Sequence, residues 1–152
     1  MTTISSFLMY QQGAEQAAEL YVSLLPDSRI LGIQRGPEGE AQIITLELDG
    51  IPVSAYNGGP HFQFTEAFSF MVTVDTQDEI DHLWDALIAN GGSPSQCGWL
   101  KDPWGLSWQI IPSVLLGLIG GPDPEAAGRA AQAMFGMQKL DIAALQAAYD
   151  GA

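Results

Sequence analysis

The chain presents the same order of predicted elements twice, and this duplication limits its possible folds more than any other feature. Each half reads as a strand, a helix and then further strands, and the chain-breaking residues 57–60 separate the two series. Repeated strand–helix–strand units predict a fold that mixes helices with sheets. The repetition is one of elements more than of letters, and a ferredoxin-like arrangement produces a similar order.

The first half contains one helix with a single apolar face. Its small and apolar residues recur at helical spacing from Ala14 to Leu25, and Pro26 ends the pattern. Strands are predicted on both sides of this helix, at residues 4–10, 29–34, 42–48 and 51–56. The dipeptide Asp49-Gly50 indicates a tight hairpin between the last two of these strands.

The second half begins with a β-rich run, residues 68–74, and continues into a helix. Thr76 and Glu79 match a capping box, and the apolar stripe that follows includes Trp84, which we expect in the core. A hairpin of strands 96–101 and 106–111 completes the half. Because side chains alternate along a strand, Phe68 and its even-numbered neighbours should face the helix, and Trp108 and Ile110 of the last strand should lie in the core. Ser69, Met71 and Gln109 should face a cavity.

The last thirty residues predict a helical tail. Asp123 and Pro124 form a good cap and first turn, and apolar residues recur as far as Tyr149. So many apolar groups must cover either the chain's own sheet or a neighbouring subunit, because a patch of this size is seldom left exposed.

The composition excludes several classes of function. The formal charge is −13, from five basic and 18 acidic residues, which disfavours nucleic acid and anionic membrane surfaces as partners. No apolar run approaches the roughly 20 residues of a membrane span. The single cysteine, Cys97, cannot form an internal disulfide, and the chain lacks a secretory signal, so we expect a cytoplasmic protein.

Several separated motifs, in the same order, resemble the PhnB-like branch of the glyoxalase/bleomycin-resistance/dioxygenase (vicinal oxygen chelate) superfamily. These motifs are GAEQAAELY from Gly13, LPDSRI from Leu25, NGGP from Asn57, FTEA from Phe64, and QCGWLKD through GLSWQ from Gln96 to Gln109. The alanine-rich tail also resembles that branch, so the resemblance extends over nearly the whole chain.

The resemblance implies an α+β fold in which paired βαβββ modules form an open curved sheet, here with a C-terminal helical extension. It predicts a single glyoxalase-like domain over residues 1–152, with module one at about 1–57, module two at about 67–112 and the tail at about 113–152. It also favours a homodimer, which the tail would help to stabilise.

Many catalytic members of the wider superfamily bind a divalent metal through four His, Glu or Gln side chains. The motifs put those places near Ser6, Ala55 or Tyr56, Ser69 and Gln109, of which only Gln109 is a conventional ligand type. Because transition metals need strong N or O donors in number, we predict no metal site and no cofactor. The predicted ligand-binding residues are listed here: Ser6, Tyr56, Ser69, Met71, Trp99, which could face either side of its strand, and Gln109.

Three hypotheses for function remain open at this point. The chain is a metal-independent module that binds a small organic molecule, an enzyme (a lyase, an isomerase or a methyl-transferring one), or an assembly protein. The 3-demethylubiquinone methyltransferase label that this branch often carries receives little support, because Gly58-Gly59-Pro60 precedes a strand and opens no helix. His82 should be a surface residue, and His61 with Glu66 lies where a cavity mouth could be.

Overall fold

The computed structural model describes residues 1–152 and contains eight strands and five helices. The strands are β1 (Ser6–Tyr10), β2 (Arg29–Arg35), β3 (Ala41–Leu48), β4 (Ile51–Asn57), β5 (Ser69–Val74), β6 (Ser93–Pro94), β7 (Trp99–Lys101) and β8 (Ser107–Pro112). The helices are α1 (Ala14–Leu24), α2 (Gln77–Ile88), α3 (Leu115–Ile119), α4 (Pro124–Phe135) and α5 (Ile142–Asp150). None of them combines the length and the apolar character that a membrane span requires.

The chain divides into two compact units, Met1–Phe64 and Thr65–Ala152. Each holds a four-stranded sheet, with strand orders β1-β4-β3-β2 and β5-β8-β7-β6. The two orders are equivalent, since in both the first strand pairs in parallel with the last and the remaining pairs are antiparallel. Two separate sheets of this kind confirm the predicted α+β class and the repeated βαβββ unit, and they exclude the single sheet of a ferredoxin-like fold.

In the first unit, α1 packs on one face of its sheet. The small residues of its apolar stripe, together with Tyr21, are buried against the inward side chains of β3 and β4, such as Ile44 and Val53. The hydroxyls of Tyr10 and Tyr21 lie 2.9 Å apart inside this core. The side chain of Asn57 accepts a hydrogen bond from the Ala14 amide, so that the end of β4 supports the start of α1.

In the second unit, α2 packs on one face of the sheet and begins with the predicted capping box. Thr76 accepts a hydrogen bond from the Glu79 amide, and the Glu79 carboxylate accepts one from the Thr76 amide. Trp84 is 4% exposed, which confirms its place in the core, and Trp108 and Ile110 of β8 are buried as the alternation predicted.

The helical tail covers its own unit. Its core joins Ile111 of β8 to the apolar side chains of the three tail helices, among them Leu140 and Leu145, which are fully buried. The side chain of Gln77, in α2, donates to the Leu140 carbonyl and accepts from the Ile142 amide, which ties the tail to the start of α2. The structure therefore shows that the tail's apolar face packs within the chain's own second unit, around Ile111 at the end of β8.

The predicted strand 96–101 is shorter than expected, because Cys97 and Gly98 have φ angles of 58° and 85°, which an extended strand cannot contain. Their amides instead bond to the tail, at the carbonyls of Met137 and Gln138. The prediction for Phe68 was wrong: this residue precedes β5, is 42% exposed, and packs its ring against Phe70. The short strand β6 and helix α3 were not predicted.

Candidate functional site

Four of the six predicted ligand-binding residues lie on the face of the second sheet opposite α2. We call it the distal face and define it by Ser69, Met71, Trp99, Lys101, Ser107 and Gln109. The register places Met71 of β5 and Trp99 of β7 on either side of Gln109 in β8, which makes one row across three strands. Met71 is 61% exposed, whereas Trp99 and Gln109 are half-buried. Trp99, whose orientation the sequence left open, therefore lies on the same face as Gln109.

Gln109 is held in place by a neighbour on the same face. Its side-chain Nε2 donates to the Ser69 hydroxyl oxygen at 3.0 Å. The Ser69 oxygen thus acts as an acceptor, and its own hydrogen remains available as a donor. A thioether, an indole, an amide and a hydroxyl therefore lie together on this face. Such a set suits a small, partly apolar molecule that needs a few oriented hydrogen bonds.

A second row on the distal face was not recognised from the sequence. Ser107 of β8 lies between Ser69 and Lys101 in the sheet register. Ser107 is 1% exposed, and its hydroxyl oxygen has no hydrogen-bond partner. The signal was present in the sequence, since Ser107 precedes Gln109 by two residues and so shares its face.

Lys101 closes one end of this row with an ion pair. Its Nζ lies 2.6 Å from a carboxylate oxygen of Glu66; the Lys101 side chain is partly exposed and that of Glu66 is largely exposed. The hydrogen bond from Lys101 lowers the pKa of Glu66, and backbone hydrogen bonding and the charge of Lys101 act in the same direction. Glu66, considered with His61 at the sequence level, is therefore the partner of a distal-face cation.

The first unit presents Tyr56 on the face opposite α1. Tyr56 lies beside Met9 in the register of β1 and β4, and its ring centroid is 6.1 Å from that of Phe7. Ser6 does not join them. It alternates with the buried Leu8 and lies opposite the buried Val53, so it belongs to the face that α1 covers. The β1 side chains that share the face of Tyr56 are Phe7 and Met9, whereas Ser6 points to the opposite face.

The residues at the places of the superfamily's metal ligands do not form a donor set. Ala55 is buried, Ser6 lies on the α1 face, and Ser69 and Gln109 are hydrogen-bonded to each other. No group of three or more His, Cys, Asp or Glu side chains is placed to hold a metal ion. His61 and His82 are both exposed. This chemistry does not fit a divalent transition metal, which needs several strong donors.

A concavity of about 490 Å³ lies in the second unit between the starts of α2 and α5, away from the distal face. Its polar lining is already used within the fold. Thr76 caps α2, Asp141 accepts a hydrogen bond from the Ala144 amide to cap α5, and Gln77 holds the tail. We therefore interpret this concavity as a consequence of how the tail joins α2.

A family model described as 3-demethylubiquinone-9 3-methyltransferase matches residues 2–111. A protein from Bacillus cereus, described as a putative 3-demethylubiquinone-9 3-methyltransferase and PhnB protein, is 31% identical. The match covers 74% of this chain and all of that one, with a TM-score of 0.68. No curated protein matches the chain.

More distant solved structures share the fold alone. A protein from Pseudomonas aeruginosa is 17% identical over 74% of this chain and 98% of its own, with a TM-score of 0.59. A fosfomycin resistance protein from Listeria monocytogenes is 10% identical over 74% of this chain and 93% of its own, with a TM-score of 0.52. The family model ends at β8, so the expectation that the resemblance extends through the tail is not supported by this match.

Proposed function

We propose that this chain, which belongs to the PhnB-like family described as 3-demethylubiquinone-9 3-methyltransferase and has a glyoxalase-like fold, is a metal-independent module that binds a small organic molecule. The observation that carries this proposal is the row of Met71, Gln109 and Trp99 on the distal face, supported by Ser69. The ligand would lie across β5, β8 and β7.

The chemistry of the row indicates how a ligand would be held. Met71, on the edge strand β5, leaves 61% of its surface exposed, which is a large fraction for an apolar side chain. A thioether adapts its shape to irregular partners, and an indole offers a flat apolar surface. The Gln109 amide, fixed by Ser69, adds a directional polar contact. Burial of Met71 and Trp99 would supply most of the affinity, and Gln109 would supply the orientation.

A fragment library tested by thermal shift would examine this proposal. Compounds that raise the melting temperature should perturb the NMR signals of Met71, Trp99 and Gln109. Met71→Ala should weaken their binding, because it removes the most exposed apolar contact of the row. Leu31→Ala, which trims an apolar residue of the first unit that is 50% exposed, is the matched control and should bind normally. Ligands that bind both variants as tightly as the unmodified chain would contradict the proposed surface.

Metal independence has its own test. Zinc, nickel or manganese should not raise the melting temperature, and the purified protein should carry no stoichiometric divalent metal. The expectation rests on the donor set, in which Gln109 stands among hydroxyls and apolar groups. A near-equimolar metal whose removal perturbs Gln109 would contradict it.

The family description favours methyl transfer as a second candidate. Against it, Gly58 and Gly59 follow β4 and lead through a loop to β5, so they present no helix amides to a nucleotide-like methyl donor. Isothermal titration with S-adenosylmethionine discriminates the two. Saturable binding would favour the transferase, and its absence would favour the binding module.

We also propose a homodimer. The large apolar side chains that the tail leaves exposed support it, namely Leu116 at 75% and Phe135 at 60%. Light scattering on the full chain, alone and with Phe135→Gln and Leu116→Gln, provides the test. Point substitutions are preferable to removal of the tail, because truncation would also expose the core around Ile111. A monomeric full chain at micromolar concentration would contradict the proposal.

A further inference from the structure

We propose that Ser69, Ser107 and Lys101 form an oxyanion-binding row, and that the ligand of the distal face carries a carboxylate or a similar oxyanion. This inference rests on the proposed function, because it names the ligand class for that same face. The three residues are consecutive neighbours across β5, β8 and β7. They adjoin the row of Met71, Gln109 and Trp99, so that one molecule could contact both rows.

The Ser107 hydroxyl is the observation that points to a ligand. Ser107 is 1% exposed, and its oxygen lacks a hydrogen-bond partner. It is the one buried side-chain polar atom of the chain in this condition. A hydroxyl removed from water without a partner is destabilising, and folded proteins keep few such groups. A bound molecule that offers an acceptor would remove this penalty.

Ser69 supplies a second donor from the adjacent strand. Its oxygen accepts from Gln109, so its hydrogen is directed elsewhere. Neighbouring strands lie about 4.7–4.9 Å apart. An acceptor atom slightly outside the line between the two serine oxygens can therefore lie within about 2.5–3.0 Å of each, the range of O–H···O hydrogen bonds. The two hydroxyls thus suit a single acceptor oxygen.

The charge of Lys101 selects an anion over a neutral acceptor. Lys101 is one of only five basic residues, and its present partner, Glu66, is 64% exposed at the side chain. A solvent-exposed pair contributes little and is easily exchanged. A ligand carboxylate would replace that of Glu66, and the movement of Lys101 would give access to the adjacent Ser107. The net charge of −13 opposes anions at long range, but salt screens distant charges beyond about 8 Å.

Benzoate and benzyl alcohol are suitable probes, since they share a ring that fits Met71 and Trp99 and differ in the oxyanion. Each would be titrated into the full chain by calorimetry and by amide NMR. We expect benzoate to bind more tightly than benzyl alcohol and to perturb Ser107, Lys101 and Ser69. Its affinity should fall as salt is raised, because Lys101 is partly exposed.

Two variants test the row directly. Ser107→Ala should weaken benzoate binding by about tenfold or more, the usual effect of losing a hydrogen bond to a charged group. It should not lower the melting temperature, because it removes a hydroxyl that has no partner. Lys101→Met retains the aliphatic stem and should abolish the preference for benzoate. Ser113→Ala and Lys139→Met are the matched controls, since Ser113 is exposed and Lys139 pairs with Asp81 on α2.

The outcomes separate this inference from the proposed function. Equal binding of the two probes at Met71 and Trp99, unchanged by Ser107→Ala, would overturn the oxyanion row and leave the binding module standing. Binding of neither probe, together with an unresponsive fragment library, would overturn both. A Ser107→Ala variant that melts well below the unmodified chain would show that the hydroxyl is satisfied within the fold, which also overturns the inference.

Discussion

Replacement of Trp84 by alanine tests how the second unit is held together. Trp84 lies on the apolar stripe of α2, between Leu83 and Leu87 in the buried set, and is 4% exposed. The helix packs this stripe on β7 and β8, where Leu100 and Trp108 are buried. The indole is therefore part of the contact between helix and sheet, and its loss leaves a gap that its neighbours can fill only in part.

The magnitude follows from the area that the indole buries. A buried tryptophan removes about 150–250 Å² from water, which at about 25 cal/mol per Å² corresponds to about 4–6 kcal/mol. Alanine retains part of this burial, while the cavity adds a cost, so the expected loss is about 3–5 kcal/mol. For a chain of this length the melting temperature should fall by between about 6 and 20 °C.

Urea denaturation followed by tryptophan fluorescence suits this measurement, because all four tryptophans (84, 99, 104 and 108) lie in the second unit. The three that remain in Trp84→Ala report on the same unit. His82→Ala is the matched control, since His82 is an exposed neighbour on the same helix, and it should change stability by less than about 0.5 kcal/mol. A loss below about 1 kcal/mol for Trp84→Ala would refute the assigned packing, because removal of a buried indole usually lowers the free energy of unfolding by about 3–5 kcal/mol.

Two further predictions concern α2. Gln77→Ala should destabilise the junction with the tail by about 1–3 kcal/mol, because it leaves the Leu140 carbonyl and the Ile142 amide without their partner. Amide hydrogen exchange should then become faster in α5 than in β8. Equal exchange rates in the variant and in the unmodified chain would contradict this prediction. Glu79 has a pKa lowered from 4.5 by hydrogen bonds from Thr76 and Asp75, so its contribution to stability is present above that value and is lost as pH falls through its folded pKa. Acid titration of melting temperature should be flatter in Glu79→Gln than in the unmodified chain, and parallel curves would exclude this role.

The sequence alone predicted the features that depend on neighbours along the chain. Helices α1 and α2 were predicted from apolar residues at helical spacing, and the capping box from Thr76 and Glu79 three positions apart. The alternation of β5 and β8 put Ser69, Met71 and Gln109 on one face and Trp108 on the other. Each of these inferences uses a period set by the local backbone geometry, so no distant residue is needed to make it.

Only the tertiary structure decided the features that depend on residues far apart in the chain. The face of Ser6 follows from the pairing of β1 with β4, and the sharp turn at Cys97 and Gly98 accompanies amide bonds to a tail some forty residues later. The tail lies on its own unit because its apolar side chains pack against Ile111 of β8. Ser107 looks ordinary in the sequence, since a serine is usually exposed. Its burial without a partner arises in a sheet where β8 lies between β5 and β7, and no local pattern carries that information.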